Sequence, residues 1–326
     1  MMSNNIQIGI SLDLINRHFQ EPNRNRYESK YYWDELYTLI AAAGFRGIEI
    51  PYDLFWMFRG GTGVPMTRYC VEAKFGTVEG YRAHLRSCGL ERIAGVHFDP
   101  TMFMRNSNLD FYFGASGHFA DEAVHYAVEA GCDYINITPT PPVGLVRHYH
   151  PVNDTDQAQF DDQFLTRTGD LIRRLSDTAS QNGIRLTLRH EYWSMLRGDR
   201  MHSFLAQLDD GVKIDVDAAH IAISGEEPAT VCAALGDKVG SAHLTDTAFV
   251  DDAEIWKTVL PEFPQHRATQ VFRDPGQGNV DLGRFYRALT GIGFCGWAVA
   301  SCRQTRDPMR ALLRSRDVID NTIQAA

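Results

Sequence analysis

The segment Val212–Asp217, VKIDVD, decides how the rest of the chain is read. Its apolar residues Val212, Ile214 and Val216 recur at the period of a strand, and its carboxyl end carries Asp215 and Asp217. A helical stretch around Pro228–Leu235 follows, and then a second short apolar run, Val239–Leu244 (VGSAHL). A strand, a helix and a second strand in this order predict parallel strands joined by a helical crossover. The same unit repeats outward in both directions. Strands are expected at residues 6–10, 45–51 (FRGIEIP), 92–99 (RIAGVHFD), 132–138 (CDYINIT), 184–191 (IRLTLRHE) and 296–301 (GWAVAS). Helices are expected near 33–43, 78–90, 116–131, 161–182, 201–208 and 282–291, with Asp307-Pro308 opening a last one.

Eight strand–helix units close a barrel, so the expected fold class is α/β, a single (β/α)8 TIM barrel, with an open sheet of similar element order as the alternative. The 326 residues would suit two domains at about 150 residues each, or one barrel of about 250 residues with insertions. Residues 1–326 contain no Gly/Ser linker and no break in composition, so one domain is expected. Long loops are expected after strands two (52–75, with Gly60, Gly61 and Gly63), four and seven.

Composition narrows the function class. Lys and Arg total 32 against 41 Asp and Glu, a formal net charge of −9, which disfavours nucleic-acid binding. Among the basic residues 27 are Arg and 5 are Lys, a skew better ascribed to genome composition than to anion binding. No apolar run reaches the roughly 20 residues that span a bilayer, and the N-terminal MMSNNIQIGISLDL does not read as a secretory leader. The six cysteines form no CxxC pair, so buried thiols and a cytoplasmic location are expected rather than a zinc ribbon or disulfides.

Barrel enzymes place their chemistry at the carboxyl ends of the strands. Ionisable residues cluster there: Glu49, His97, Asp99, Arg189-His190-Glu191, Asp215, Asp217, His220, His243 and Asp246. Asp217 and His243 end neighbouring strands and could together bind a divalent cation such as Mn2+, Co2+, Mg2+ or Zn2+. As a structural alternative, Asp217 and Asp215 cap the loop before the next helix and His243 is a core histidine satisfied by backbone. Without metal, His190, Glu191, His220 and His243 would still suit acid/base chemistry, with Arg189 or Arg273 holding a carboxylate or an enolate. The aromatic loop residues Phe55, Trp56, Phe58, Trp256 and Phe263 suit a ring-bearing substrate or a lid, and equally packing among themselves or a subunit interface. His148 and His150 make a weak zinc motif.

The phrases KIDVDAAH (213–220), SAHLTD (241–246), DPGQGNVD (274–281) and GFCGWAVAS (293–301) resemble the sugar phosphate isomerase/epimerase superfamily, with its xylose isomerase-like barrel and its ketose epimerase and inosose dehydratase members. The resemblance implies a metal held by a Glu on strand five, the Asp of strand six (Asp217), the His of strand seven (His243) and a Glu on strand eight. Two of these positions depart from the pattern: Arg189 stands at the first Glu and Ser301 at the last. Residues i and i+2 of a strand share a face, so Glu191 can replace the missing ligand. The resulting expectation is a site with metal ligands Glu191, Asp217 and His243, catalytic residues Arg189, His190, Glu191 and His220, and substrate contacts Glu49, His97, Trp256, Arg273, Asp246 and Ser301. The implied activity is a divalent-metal-assisted proton transfer, an isomerase, epimerase or dehydratase acting on a carbohydrate-like small molecule, with no nucleic-acid or membrane partner. The alternatives are metal-free acid/base catalysis or a barrel that has lost its chemistry and serves as a partner subunit. A homo-oligomer is left open.

Overall fold

The computed structural model describes residues 6–16, 26–58, 62–264 and 269–325; the residues on which the reading of the extreme N-terminus and of Gly60 and Gly61 rests lie outside these. Eight parallel strands close a barrel in sequence order: β1 Ile6–Ser11, β2 Gly47–Pro51, β3 Arg92–Phe98, β4 Tyr134–Ile137, β5 Arg185–Arg189, β6 Val212–Asp217, β7 Val239–Leu244 and β8 Gly296–Ala300. β1 pairs with both β2 and β8, so the barrel has no edge strand. The expected (β/α)8 barrel is the observed fold.

Strand parity builds two distinct layers from one sequence. Outward residues such as Leu186, Leu188, Ile214, Val216, Ala242 and Leu244 bury fully against the helices. Inward residues fill the barrel itself, which is a packed core and not a pore. At its amino end Trp297, Tyr134, Ala94 and Val299 cluster. Gly47 and Gly95 admit these rings: a Cβ on Gly47 would lie 2.4 Å from Trp297, and one on Gly95 2.3 Å from Tyr134. Above that apolar plug the inward positions become polar. Register shifts occur between Ile48 and Glu49 and between Ile214 and Asp215, and such bulges re-aim the side chains that follow them. Both shifts precede a carboxylate that enters the barrel.

The loops are more ordered than the sequence suggests. The stretch after β2 contains helices Leu54–Phe58 and Arg68–Phe75. The second starts where the Thr67 hydroxyl accepts from the Cys70 N–H, an N-cap, and carries the i,i+4 pair Arg68–Glu72. After β4 a short helix, Val143–Tyr149, is buried by its apolar first turn, and the next helix spans Asp154–Gln181, earlier than expected. No helix among the described residues is long and apolar enough to cross a membrane.

Candidate active site

Below the mouth lies a cage around His243. Its Nδ1 is 2.8 Å from an oxygen of Asp215 and its Nε2 is 3.0 Å from one of Glu49. Both nitrogens therefore donate, and the ring is an imidazolium. Burial opposes that charge, but the two carboxylates prevail and push its pKa up to about 10. Glu49 also accepts from the Ser11 hydroxyl at 3.1 Å and the Tyr134 hydroxyl at 2.8 Å. Despite burial, His243 and Arg189 hold it far below the ordinary carboxylate range. Ser241 donates to Asp215 at 2.8 Å. All three groups are fully buried, a closed network of two carboxylates about one imidazolium, and the nearby Arg189 charge helps to hold both carboxylates ionised.

One layer higher, Arg189 Nη2 lies 2.9 Å from Asp217 Oδ2, with both side chains out of solvent. The same oxygen accepts from Thr245 Oγ1 at 3.0 Å. The other oxygen of Asp217 caps the helix Ala218–Ile223, accepting from the N–H groups of Ala219 and His220. Asp217 is thus saturated. Arg189 stays a cation: burial opposes the charge, but Asp217, Asp215 and Glu49 raise its pKa further. Its Nη1 approaches His97 Nδ1 at 3.5 Å, and its Nε finds no partner among the described residues.

Arg189 forms the floor of a cavity of about 510 Å3 at the carboxyl ends of the strands. The walls include Asp13, Asn16, Phe55, His97, Asp99 and Arg303. Asp13 follows β1 in a short 3-10 turn and accepts from the Ser301 hydroxyl at 2.6 Å. Burial raises its pKa against the influence of that bond. Arg303 is clamped on Glu262 at 2.9 and 3.1 Å, a bidentate geometry. Glu191 accepts from Trp193 Nε1 at 2.8 Å; burial, then the charge of Asp99, pushes its pKa up to about 8. It is a protonated acid at neutral pH, held within the electrostatic reach of Arg303 and Arg189.

The structure brings together part of the expected site. His97 and Arg189 line the cavity, and Ser301 reaches it through Asp13. The other expected residues lie elsewhere. His190 follows Arg189 by one position and so points out of the barrel; it contacts a small apolar pocket with Ile214, Val216 and Ile221, and burial lowers its pKa to about 4. His220 is enclosed by Tyr192, Trp193 and Phe272. Its Nδ1 accepts from the Tyr192 N–H and its Nε2 faces Arg303 at 3.3 Å, which fixes the wall instead of facing substrate. Glu49 lies in the cage beneath the floor. Asp246 is consumed by the turn after β7, accepting from the N–H groups of Thr247, Gly276, Gly278 and Val280. Trp256 stacks on Arg197, and Arg273 belongs to a separate cavity. Asp13 and Arg303 are the site residues the sequence reading missed. Strand parity does not reach Asp13, which lies beyond the end of β1 in the 3-10 turn Leu12–Leu14.

The three expected metal ligands do not converge. Glu191 is held by Trp193, Asp217 is filled by Arg189, Thr245 and two N–H groups, and His243 offers no lone pair. Among the described residues no group of three His, Cys, Asp or Glu side chains could hold an ion. The residues present do not fit a divalent cation, because a guanidinium already neutralises the carboxylate that would bind it.

The family model described as xylose isomerase-like TIM barrel matches residues 37–322. This chain belongs to that family. Inosose dehydratase of Lacticaseibacillus casei is 24% identical to the xylose isomerase-like barrel described here over 173 residues, 52% of this chain and 58% of the relative. Inosose dehydratase of Geobacillus thermodenitrificans (strain NG80-2) is 25% identical over 158 residues, 47% of this chain and 53% of the relative. The chain thus spans a little over half the length of these curated relatives. Among solved structures, an L-ribulose 3-epimerase superposes with TM-score 0.67 at 14% identity, covering 98% of this chain and 95% of the other. The probable 3-DHS dehydratase AsbF of Bacillus anthracis superposes with TM-score 0.66 at 13% identity, covering 97% and 99%. At these identities the likeness concerns the fold.

Proposed function

We propose that this barrel catalyses proton transfer at a carbon next to a carbonyl in an unphosphorylated, sugar-like hydroxyketone, with isomerisation, epimerisation or loss of water as the outcome. One observation carries the reading: a carboxylate, Asp13, and a buried guanidinium, Arg189, face one cavity of about 510 Å3. That pairing supplies a base for the carbon-bound proton and a fixed positive charge for the oxygen that becomes negative. The inosose dehydratase relatives support the same substrate class.

Asp13 takes the proton from carbon, and the C–H electron pair moves toward the carbonyl, placing negative charge on its oxygen. Arg189 holds that oxygen through its Nη1–H, the nitrogen that Asp217 leaves free. Ser301 keeps Asp13 in position through its 2.6 Å bond. If the neighbouring carbon bears a hydroxyl, its oxygen departs with a proton taken from solvent in the cavity. Water leaves, the carbon–carbon double bond forms, and the proton on Asp13 returns to solvent. If no group leaves, Asp13 returns the proton to carbon and the outcome is isomerisation or epimerisation. Charges on the cavity wall favour a neutral substrate: Asp13, Asp53, Asp99 and Glu262 stand against Arg105, Arg189 and Arg303, and Arg303 is already satisfied by Glu262.

The test is carbon-bound hydrogen exchange in D2O, followed by NMR over a panel of unphosphorylated cyclic and open-chain hydroxyketones. At least one is expected to exchange or to lose water with wild type. The Asp13→Asn variant, folded by circular dichroism, is expected to lose at least about a hundredfold of that rate. No exchange across the panel, or full activity of Asp13→Asn, sinks the reading.

A further inference from the structure

We propose that Arg189 is the resident cation of this barrel mouth, occupying the electrostatic role of a divalent ion, and that the chain binds no divalent metal there. The electrophilic part of this proposal rests on the proton-transfer reading above; the metal part does not.

A carboxylate at the end of β6 can hold a metal only with a free lone pair aimed into the mouth. Here the inward oxygen, Oδ2, is taken by Arg189 at 2.9 Å and by Thr245 at 3.0 Å, and Oδ1 is turned to the helix N-terminus. The β7 imidazole is removed from ligation in a different way. Glu49 and Asp215 accept from both of its nitrogens, so metal would have to displace a proton as well as a carboxylate. The β8 position contributes the Ser301 hydroxyl, which donates to Asp13 instead of facing the centre. A dication brought to this point would meet a guanidinium that burial has fixed in place: Arg189 is 1% exposed. Like charges a few ångströms apart inside a protein repel strongly.

The same geometry equips Arg189 for the work. One of its nitrogens is left for a ligand: Nη1 has only the long 3.5 Å approach to His97, whereas Nη2 is taken by Asp217 and Nε is buried. His97 is neutral, since burial and then the Arg189 charge hold its pKa far below the usual value, so it does not compete as a cation. The guanidinium is therefore anchored on one side by Asp217 and open on the other toward the cavity. An anchored, dehydrated donor needs no reorganisation when negative charge develops in front of it. Arg is suited to this because its planar fork holds a carboxylate with one nitrogen and leaves another for substrate.

The test has two arms, read on untagged full-length protein. In the first, elemental analysis and calorimetric titration with Mn2+, Co2+ and Zn2+ measure metal binding without any substrate. Wild type is expected to carry well below one metal per chain, and its melting temperature is expected to be unmoved by these ions or by EDTA. One equivalent held by wild type and lost in Asp217→Asn overturns the proposal, as does a melting temperature that falls with EDTA and returns with Mn2+. The second arm is kinetic, on whichever hydroxyketone the exchange panel identifies. Arg189→Gln is expected to lower kcat by about a hundredfold or more, the scale seen when one fixed donor to a developing oxyanion is removed, with KM changed much less. Arg189→Lys, which keeps the charge, is expected to recover part of that loss without acquiring metal dependence. An Arg189→Gln protein within about twofold of wild-type kcat overturns the electrophilic role. If Arg189→Gln fails to fold, the first arm still decides the metal question, and Arg189→Lys carries the kinetic one: full dependence of Arg189→Lys on added Mn2+ overturns it. Should the panel yield no substrate, the proton-transfer reading fails while the metal result stands.

Discussion

At the scale of single residues, two buried charges set the behaviour of the mouth. The Arg189–Asp217 pair is out of solvent on both sides, so removing one partner leaves the other uncompensated. Breaking such a pair costs about 3–5 kcal/mol. Asp217→Ala is therefore expected to lower the unfolding free energy by about that amount, measured by urea denaturation at constant m-value, whereas replacing an exposed partner such as Asp170 of the Arg173 pair should change it little. His243 gives a pH signature with a definite sign. Its folded pKa is raised to about 10, above the roughly 6.5 of an unfolded histidine. The stability it contributes is complete below about pH 6.5 and is lost as pH rises through about 10. Unfolding free energies measured from pH 6 to 10 should fall along that window, and His243→Gln should flatten the slope while lowering the plateau. A profile that rises toward pH 10 would show that the ring is neutral in the cage. The limits of the sequence are clearest at this scale. Arg189, Asp217 and His243 could be picked out by their position at strand ends, and Arg189 was legible as a departure from the family pattern. Their partners were not legible, because Glu49 and His243 lie 194 residues apart and meet only through barrel closure. His190 was misplaced for a simpler reason: adjacent strand residues point to opposite faces, and this parity was available beforehand.

At the scale of elements, the turn at residues 274–281 shows why a polar motif can be structural. The Pro-Gly-x-Gly phrase wraps around Asp246, whose two oxygens accept from four backbone N–H groups. Gly278 has no room for a Cβ, which would lie 2.2 Å from the Asp246 carboxylate. His243 was expected to hold metal and Asp246 to contact substrate, yet one enters the barrel cage and the other pins the loop that leads to the helix Leu282–Gly291. Asp246→Ala would leave several backbone donors without an acceptor, at about 1–3 kcal/mol for each one that stays buried. Its amide exchange is expected to speed up at Gly276, Gly278 and Val280 while the β6 and β7 amides remain protected. Uniform acceleration across the barrel would instead mean that Asp246 supports the whole sheet. The loops after β2 and β4 were underestimated because their helices are short. The five residues Leu54–Phe58 are held by packing, not propensity, and a window of that length carries too few turns for a 3.6-residue period to emerge.

At the scale of the molecule, charge distribution bears on the proposed preference for a neutral hydroxyketone over a phosphorylated one. The chain carries a formal net charge of −9, and the cavity wall presents four carboxyl groups against three guanidiniums. One of those guanidiniums is bound by Asp217 and another by Glu262. No concentrated positive field remains at the mouth to draw in a dianion, whereas enzymes that use one show rates falling steeply with salt. A neutral hydroxyketone feels neither attraction nor screening on approach. Its kcat/KM is therefore expected to change by less than about twofold as ionic strength rises from about 0.02 to 0.5 M, a range over which the Debye length shrinks several-fold. A phosphorylated counterpart of the same ketone is expected to be the poorer substrate at low salt, and to improve as salt screens the chain's negative charge. Steady-state kinetics on the matched pair checks both. A phosphorylated ketone that is preferred and loses rate with added salt would mean that the arginines of the wall, and not the neutral hydroxyls of the substrate, drive recognition.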